Sequence, residues 1–211
     1  MTKPSILLVG AGGHARACID VIEQENRFLI TGLLGLPEQV EENILGYPVL
    51  GTDNDLSSLR ERCDHALITI GQIKSPESRM RLFMLLSKSN FMLPCIISPY
   101  AYVSKHATIG AGSIVMHNAI VNSGAIVGRN CIINTRSLIE HDVRIDDHCH
   151  ISTGAIINGG VQIGTETFIG SGSVVREGTT ISSKCFIGMG QSITQNCNVG
   201  SKLTLANKEV I

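Results

Sequence analysis

Seven histidines carry most of the acid–base chemistry open to this chain of 211 residues, and three of them stand in one polar segment. That segment reads Asn134-Thr-Arg-Ser-Leu-Ile-Glu-His-Asp142 and continues as His148-Cys-His-Ile-Ser-Thr-Gly-Ala155. Imidazole titrates near neutral pH, which suits His141 to proton transfer. Glu140 and Asp142 flank it, and either acid is available to fix the tautomer of its ring. Near the start, Gly10-Ala-Gly-Gly-His-Ala15 has the form of a phosphate loop. Glycines let the backbone approach an anion, and a following helix offers free N–H groups and the positive end of its dipole. Gly12, Gly13 and His14 are therefore candidate phosphate contacts, with Gly71 and Gln72 of a later strand end beside them. A tight turn without a ligand is the alternative.

The remaining histidines divide by position. His65 and His106 read as surface residues, and His117 shares the sequence phase of His141. Separations of 24 and 9 residues scatter His117, His141 and His150 over different sides of the fold described next, so no metal site is expected.

What positions these groups is a six-residue period. Ile97 and every sixth residue after it, through Val199 to Leu205, is Ile, Val or Leu, nineteen positions in all. Four residues after each aliphatic stands something mostly small, such as Ala107, Ala119, Cys131, Cys149, Ala155, Cys185 or Cys197. The period predicts a parallel β-helix, each hexad one short strand and a turn, with the aliphatic inside and the small residue at the corner. Three hexads make one triangular coil, so residues eighteen apart stack roughly 4.8 Å apart. Gly159, inside Asn158-Gly-Gly160, lies eighteen after His141. A backbone N–H above a base can stabilise a developing oxyanion. His150, nine residues on, belongs to the opposite side of the coil. Ser171 and Met189 stack near the side of His150 and are candidates to line a cofactor channel.

The first 95 residues have a different rhythm. Ser5–Val9, residues 28–34 and residues 66–70 read as strands; residues 15–25 and 79–88 read as helices, the second introduced by Ser75-Pro76. Residues 91–96 read as a last strand. This alternation predicts a small Rossmann-like α/β domain over 1–95, followed by the all-β helix over 96–211. The second strand ends Thr31-Gly-Leu-Leu-Gly-Leu36, without the acid a nicotinamide dinucleotide's ribose needs, and no second mononucleotide half follows. A nucleotide bearing something other than nicotinamide is expected.

Net charge is −1 with no basic run, which argues against nucleic acid. Seven cysteines include no CxxC pair, and four occupy the small-residue phase of the hexads, so they read as buried filler in a reducing compartment. Apolar runs of membrane-spanning length and a signal-peptide pattern are both missing from the sequence, and a cytoplasmic location is expected.

From the GAGGHA loop to the last hexads, the chain resembles the bacterial sugar acetyltransferases that join a nucleotide-binding domain to a left-handed β-helix. These include the UDP-4-amino-sugar N-acetyltransferases of bacillosamine synthesis and the related sialic acid O-acetyltransferases. The left hand comes from this resemblance. It implies that His141 is the general base, that His150 helps hold the acetyl donor, and that Asn134 lies near the sugar. In the bacillosamine enzymes an acidic pair after the second strand contacts the nucleoside; Gly35-Leu36 stands there in this chain. The chain also ends Leu205-Ala-Asn-Lys-Glu-Val-Ile211, without the tail that covers coenzyme A in many hexapeptide acyltransferases.

The resulting expectation is a homotrimer with sites between subunits. It would use acetyl-CoA and no metal, and would N-acetylate a nucleotide-linked 4-amino-4,6-dideoxy sugar for surface-glycan or nonulosonic-acid synthesis. Transfer should be direct, with no acyl-enzyme, because no Cys or Ser is placed beside a base as a nucleophile. O-acetylation of a sialic-acid-like sugar and a non-catalytic, nucleotide-sugar-binding scaffold are the alternatives.

Overall fold

The computed structural model describes residues 3–204. Its α/β part is built on a five-stranded sheet in the order β3-β4-β2-β1-β5, where β1 is Ser5–Val9, β2 Leu29–Leu34, β3 Asn43–Ile44, β4 Tyr47–Gly51 and β5 His65–Ile68. All pairings are parallel except the β3–β4 hairpin. β1 is apolar along its length because both its faces are covered. Ile6 and Leu8 pack towards α1 (Gly13–Glu25), while Leu7 and Val9 pack towards α2 (Leu56–Arg60) and α3 (Glu77–Lys88).

Three parallel sheets run from Ile96 to Leu203. The first face stacks Ile96–Ile97, Ile114–Val115, Ile132–Ile133, His150–Ile151, Phe168–Ile169 and Phe186–Ile187, and ends with Lys202–Leu203. The second runs from Tyr102–Val103 through Leu138–Ile139 to Ser192–Ile193, and the third from Thr108–Ile109 through Arg144–Ile145 to Thr180–Ile181. Partners along each face are eighteen residues apart, as in Ile133↔Ile151 and Ile139↔Ile157. The second residue of each strand points inward, and these aliphatics form one continuous core. The outward residues Ile96, Ile114 and Ile132 of the first face are buried against Ala15, Cys18, Ile19 and Ile22 of α1. The α/β part therefore sits on the first face, over its early coils.

One corner ladder gives the cysteines their role. Ser113, Cys131, Cys149, Thr167 and Cys185 stack at the corner between third and first faces. Each donates to a carbonyl of the coil above: Gly128, Asp146, Gly164, Ser182 and Asn198. A thiol here does the work of a hydroxyl and fills slightly more volume.

The hexad period overreaches at the end of the chain. Ile181 bridges to Cys197 and Ile187 pairs with Leu203, both sixteen residues apart, and Val199 is 69% exposed. The last coil is two residues short. An even slip keeps the in–out alternation, so Cys197 and Leu203 take strand positions and Val199 is left outside. Leu205 and the C-terminal tail lie outside the described residues.

Other differences are local. Residues 91–96 do not form one strand: Met92 makes a single bridge to His65, and Ile96–Ile97 begins the β-helix. Pro94 lies between and cannot donate to a ladder. α3 starts at Glu77, with Pro76 at the cap and Ser75 Oγ accepting from the Glu77 N–H at 3.1 Å. The hairpin β3–β4 and helix α2 carry no periodic signature in the sequence. His65 opens β5 and is half-buried against Phe28, rather than lying on the surface.

Candidate active site

His141 occupies the corner between second and third faces, on a segment whose turn is made by Asp142 at φ +59°. The ring is exposed. Its Nδ1–H donates to Asp142 Oδ2 at 2.9 Å, which leaves Nε2 as the free base nitrogen. Glu140 is not the orienting acid: its carboxylate accepts from Asn122 Nδ2 and from the His141 backbone N–H. The bond to Asp142 is the main cause that raises the His141 pKa above its ordinary value. On Gly159, one coil above, a Cβ would sit 2.6 Å from His141 Nε2. Only glycine lets the ring lie over that backbone. Among the described residues the Gly159 N–H has no hydrogen-bond partner. A base nitrogen and a free donor thus share one small space.

A second group of residues meets where the α/β part touches the first face. His150 is 6% exposed. Its Nδ1–H donates to the Gln72 carbonyl at 2.5 Å, and its Nε2 faces Asn134 Nδ2 at 3.1 Å. Gln72 in turn donates from Nε2 to the His148 carbonyl, and Gly71 lies against His14. Burial lowers the pKa of His150 to about 4, an effect the Gln72 carbonyl opposes and the Arg79 charge reinforces. His14 is also brought to about 4, by burial first, then by Arg79 and His150. Three polar atoms at this junction, His14 Nε2, Gln72 Oε1 and Arg79 Nε, are buried without a partner among the described residues. So His14, Gly71, Gln72, Asn134 and His150 converge, while His141 stands on a different corner of the same chain. Ser171 and Met189 lie on the corner between first and second faces, above Asn134; Ser171 bonds Ser152 and Met189 is 69% exposed.

Arg79 holds this junction together and gave no signal in the sequence. It is 1% exposed and, among the described residues, meets no carboxylate. Its guanidinium donates to the carbonyls of Ile68, Ile70 and Asn130 and to Asn130 Oδ1. α3 is thereby tied to the β-helix.

One serine stands beside a histidine through a contact between segments distant in sequence. Ser98 Oγ donates to His117 Nδ1 at 2.6 Å, and His117 Nε2–H donates to Asp20 at 2.8 Å. Ser98 is 1% exposed and also accepts from the Tyr100 N–H, so this trio is a strut between α1 and the β-helix. No three His, Cys, Asp or Glu side chains among the described residues are grouped to hold a metal.

The glycine loop divides its labour. Gly10, at φ +123°, has no room for a Cβ against Ile70. At Gly12 and Gly13 a Cβ would meet nothing within 4 Å. Helix α1 starts here with no side-chain cap; the Ala15 N–H donates to the Gly12 carbonyl, and the Gly13 and His14 N–H groups have no partner among the described residues. A cavity of about 380 Å³ opens beside Gly12, lined also by Leu36, Gln39, Asp53, Ser78 and Arg81. It lies at the carboxyl ends of β1, β2 and β5, where the chain's crossovers switch direction and α/β folds bind ligands. None of those last four polar residues stands out in the sequence.

A match to the PglD N-terminal domain covers residues 5–84, and one to the hexapeptide repeat of succinyl-transferase covers residues 160–195. The chain thus joins a PglD N-terminal domain to a hexapeptide-repeat region, the two parts that the resemblance to sugar acetyltransferases implied. Among solved structures it is similar to PerB from Caulobacter crescentus, in complex with CoA and GDP-perosamine, at 27% identity and a TM-score of 0.86. That match covers 95% of this chain and 91% of PerB. The acetyltransferase domain of PglB from Neisseria gonorrhoeae, in complex with acetyl coenzyme A, is 29% identical with a TM-score of 0.87, over 95% of this chain and 96% of that one. WeeI from Acinetobacter baumannii shares the fold at 22% identity and a TM-score of 0.70, over 89% of this chain and 95% of WeeI. No curated protein sequence matches the chain. The β-helix is left-handed, as the resemblance implied.

Proposed function

We propose that this sugar acetyltransferase moves the acetyl group of acetyl-CoA onto the amine of a nucleotide-linked 4-amino-4,6-dideoxy sugar. The observation that carries the reading is the His141 corner: Nδ1 is committed to Asp142, and Nε2 is free over the Gly159 backbone. His141 Nε2 takes the proton of the amine as its nitrogen attacks the thioester carbonyl. The Gly159 N–H donates to the oxygen that gains charge. When the C–S bond breaks, His141 returns the proton to the departing thiolate. Support for a nucleotide-linked acceptor comes from the open loop at Gly12 and Gly13, and from PerB, whose complex holds GDP-perosamine. A free sialic-acid-like sugar would leave that loop unused.

The outward residues of the second face support a trimer. Tyr102, Ile120 and Val174 are 59%, 39% and 37% exposed, and Leu138 and Ile156 continue the stripe. Packing three such faces around an axis buries the stripe. It also sets the His141 corner of one chain against the corner of the next that carries Asn134, Ser171 and Met189, with His150 beside it. The reading places the protein in the cytoplasm, where acetyl-CoA and nucleotide sugars occur; no helix among the described residues is long and apolar enough to cross a membrane.

The test is direct. Incubation with acetyl-CoA and a nucleotide-linked 4-amino-4,6-dideoxy sugar should release thiol and add one acetyl group to the sugar nitrogen by mass spectrometry. Release with free sialic acid and none with the amino sugar would sink the reading. Mixed trimers of His141→Ala and His150→Ala chains test the shared site, where recovered activity is the expected result.

A further inference from the structure

We propose that Asp53, paired with Arg81, reads the nucleobase and selects guanine. The inference rests on the nucleotide-sugar reading and deepens it. A diphosphate held by the N–H groups at the start of α1 leaves its nucleoside beside Gly12, where the cavity opens. The walls there are apolar: Leu34, Leu36, Ile70 and Leu82 suit the faces of a flat ring.

The edge of the ring must meet the polar groups that remain uncommitted. Gln39 is spent. Its Oε1 accepts from the Leu36 N–H at 3.0 Å, and its Nε2 donates to the Ala11 carbonyl at 3.4 Å. Asp53 Oδ2 accepts from Arg81 Nη2 at 2.7 Å, and the other carboxylate oxygen has no partner among the described residues. Arg81 uses one of its five N–H donors in this pair. The cavity therefore offers a carboxylate with an open oxygen and a guanidinium with open donors, side by side.

Guanine answers that pattern. It presents two neighbouring donors, N1–H and the N2 amino group, which suit a carboxylate. Its O6 and N7 are acceptors that suit an arginine. Uracil and thymine set their one N–H between two carbonyl oxygens, so an oxygen is turned towards the carboxylate. Adenine places the N1 lone pair beside its amino group and meets the same repulsion. Asp53 comes from the segment after β4 and lines the same cavity as the Gly35-Leu36 end of β2.

Calorimetry on the full chain with GDP, IDP, UDP and dTDP tests this. GDP should bind about tenfold or more tightly than UDP and dTDP. IDP, which lacks only the N2 amino group, should lose about tenfold against GDP, the usual effect of one hydrogen bond to a charged group. Asp53→Asn keeps shape and removes the charge; it should weaken GDP about tenfold and change UDP less than twofold, with the melting temperature confirming the fold. UDP or dTDP binding as tightly as GDP would overturn the base assignment and leave the nucleotide-sugar reading standing. If none of the four nucleotides binds, both are overturned. GDP affinity unchanged in Asp53→Asn, or IDP equal to GDP, would remove Asp53 from the recognition.

Discussion

His141 and His150 lie nine residues apart on one coil and have opposite surroundings. His141 is solvent-exposed, paired with an acid, and has its pKa raised. His150 is buried under the Gln72 loop, faces the Arg79 charge, and has its pKa lowered to about 4. The first can exchange a proton near neutral pH; the second holds a fixed neutral tautomer, with Nδ1–H spent on a carbonyl. One repeating scaffold thus yields an exposed, titratable ring and a rigid polar contact from the same side chain. What separates them is the neighbour: an open corner for His141, a second domain for His150.

The largest effect expected from this contrast concerns stability in acid. Below pH 6.5 the unfolded chain binds a proton at residue 150 more readily than the folded chain does. The stabilisation is therefore fully present above pH 6.5 and is lost as the pH falls towards 4. For His150 the loss is on the order of 3 kcal/mol, and His14 adds a similar demand at the same junction. Urea unfolding at a series of pH values should show this slope, and His150→Asn should flatten it. Parallel curves for the two proteins would mean that the ring is not buried neutral.

His141→Ala comes next. Loss of a general base should lower kcat by about a hundredfold or more, or ~3 kcal/mol in the barrier. The melting temperature should hardly move, because the ring lies outside the core. Wild-type turnover by this variant would end the contrast by removing the base.

Part of the contrast was legible in the sequence. The period of six placed His141 and Gly159 in one stack, because strand register in a β-helix is a property of the sequence itself. It could not tell Asp142 from Glu140, since that choice depends on the left-handed turn at Asp142. Nor could it see that His150 is buried: the cover comes from Gln72, 78 residues away. Arg79, Asp53 and Arg81 were invisible for the same reason, as their partners come from distant segments. The same period also misled at Val199, where a coil two residues short preserves the alternation of faces and happens to leave an aliphatic in phase.

A smaller effect should follow from Gly159→Ala. The added Cβ would stand 2.6 Å from His141 Nε2, so the ring must turn away and lose its bond to Asp142 or its aim at the substrate. Displacing a reacting group by about 1 Å costs up to about a hundredfold, and partial relaxation should leave a loss of about tenfold in kcat. A variant that keeps both its rate and its pH profile would show that nothing happens over this glycine.

Asp142→Asn should produce the smallest change and the most specific one. The carboxylate raises the His141 pKa, and a base works only when deprotonated, so wild-type activity falls off on the acid side from a point above the ordinary histidine value. An asparagine oxygen can still accept the Nδ1–H bond but carries no charge. The acid limb of kcat/KM should therefore move to lower pH, while the rate at the alkaline plateau drops only a few-fold. His150→Asn should not move that limb, because a ring already neutral near pH 7 contributes no titration there. An acid limb that stays in place in Asp142→Asn but shifts in His150→Asn would exchange the roles of the two histidines, and with them the assignment of base and contact.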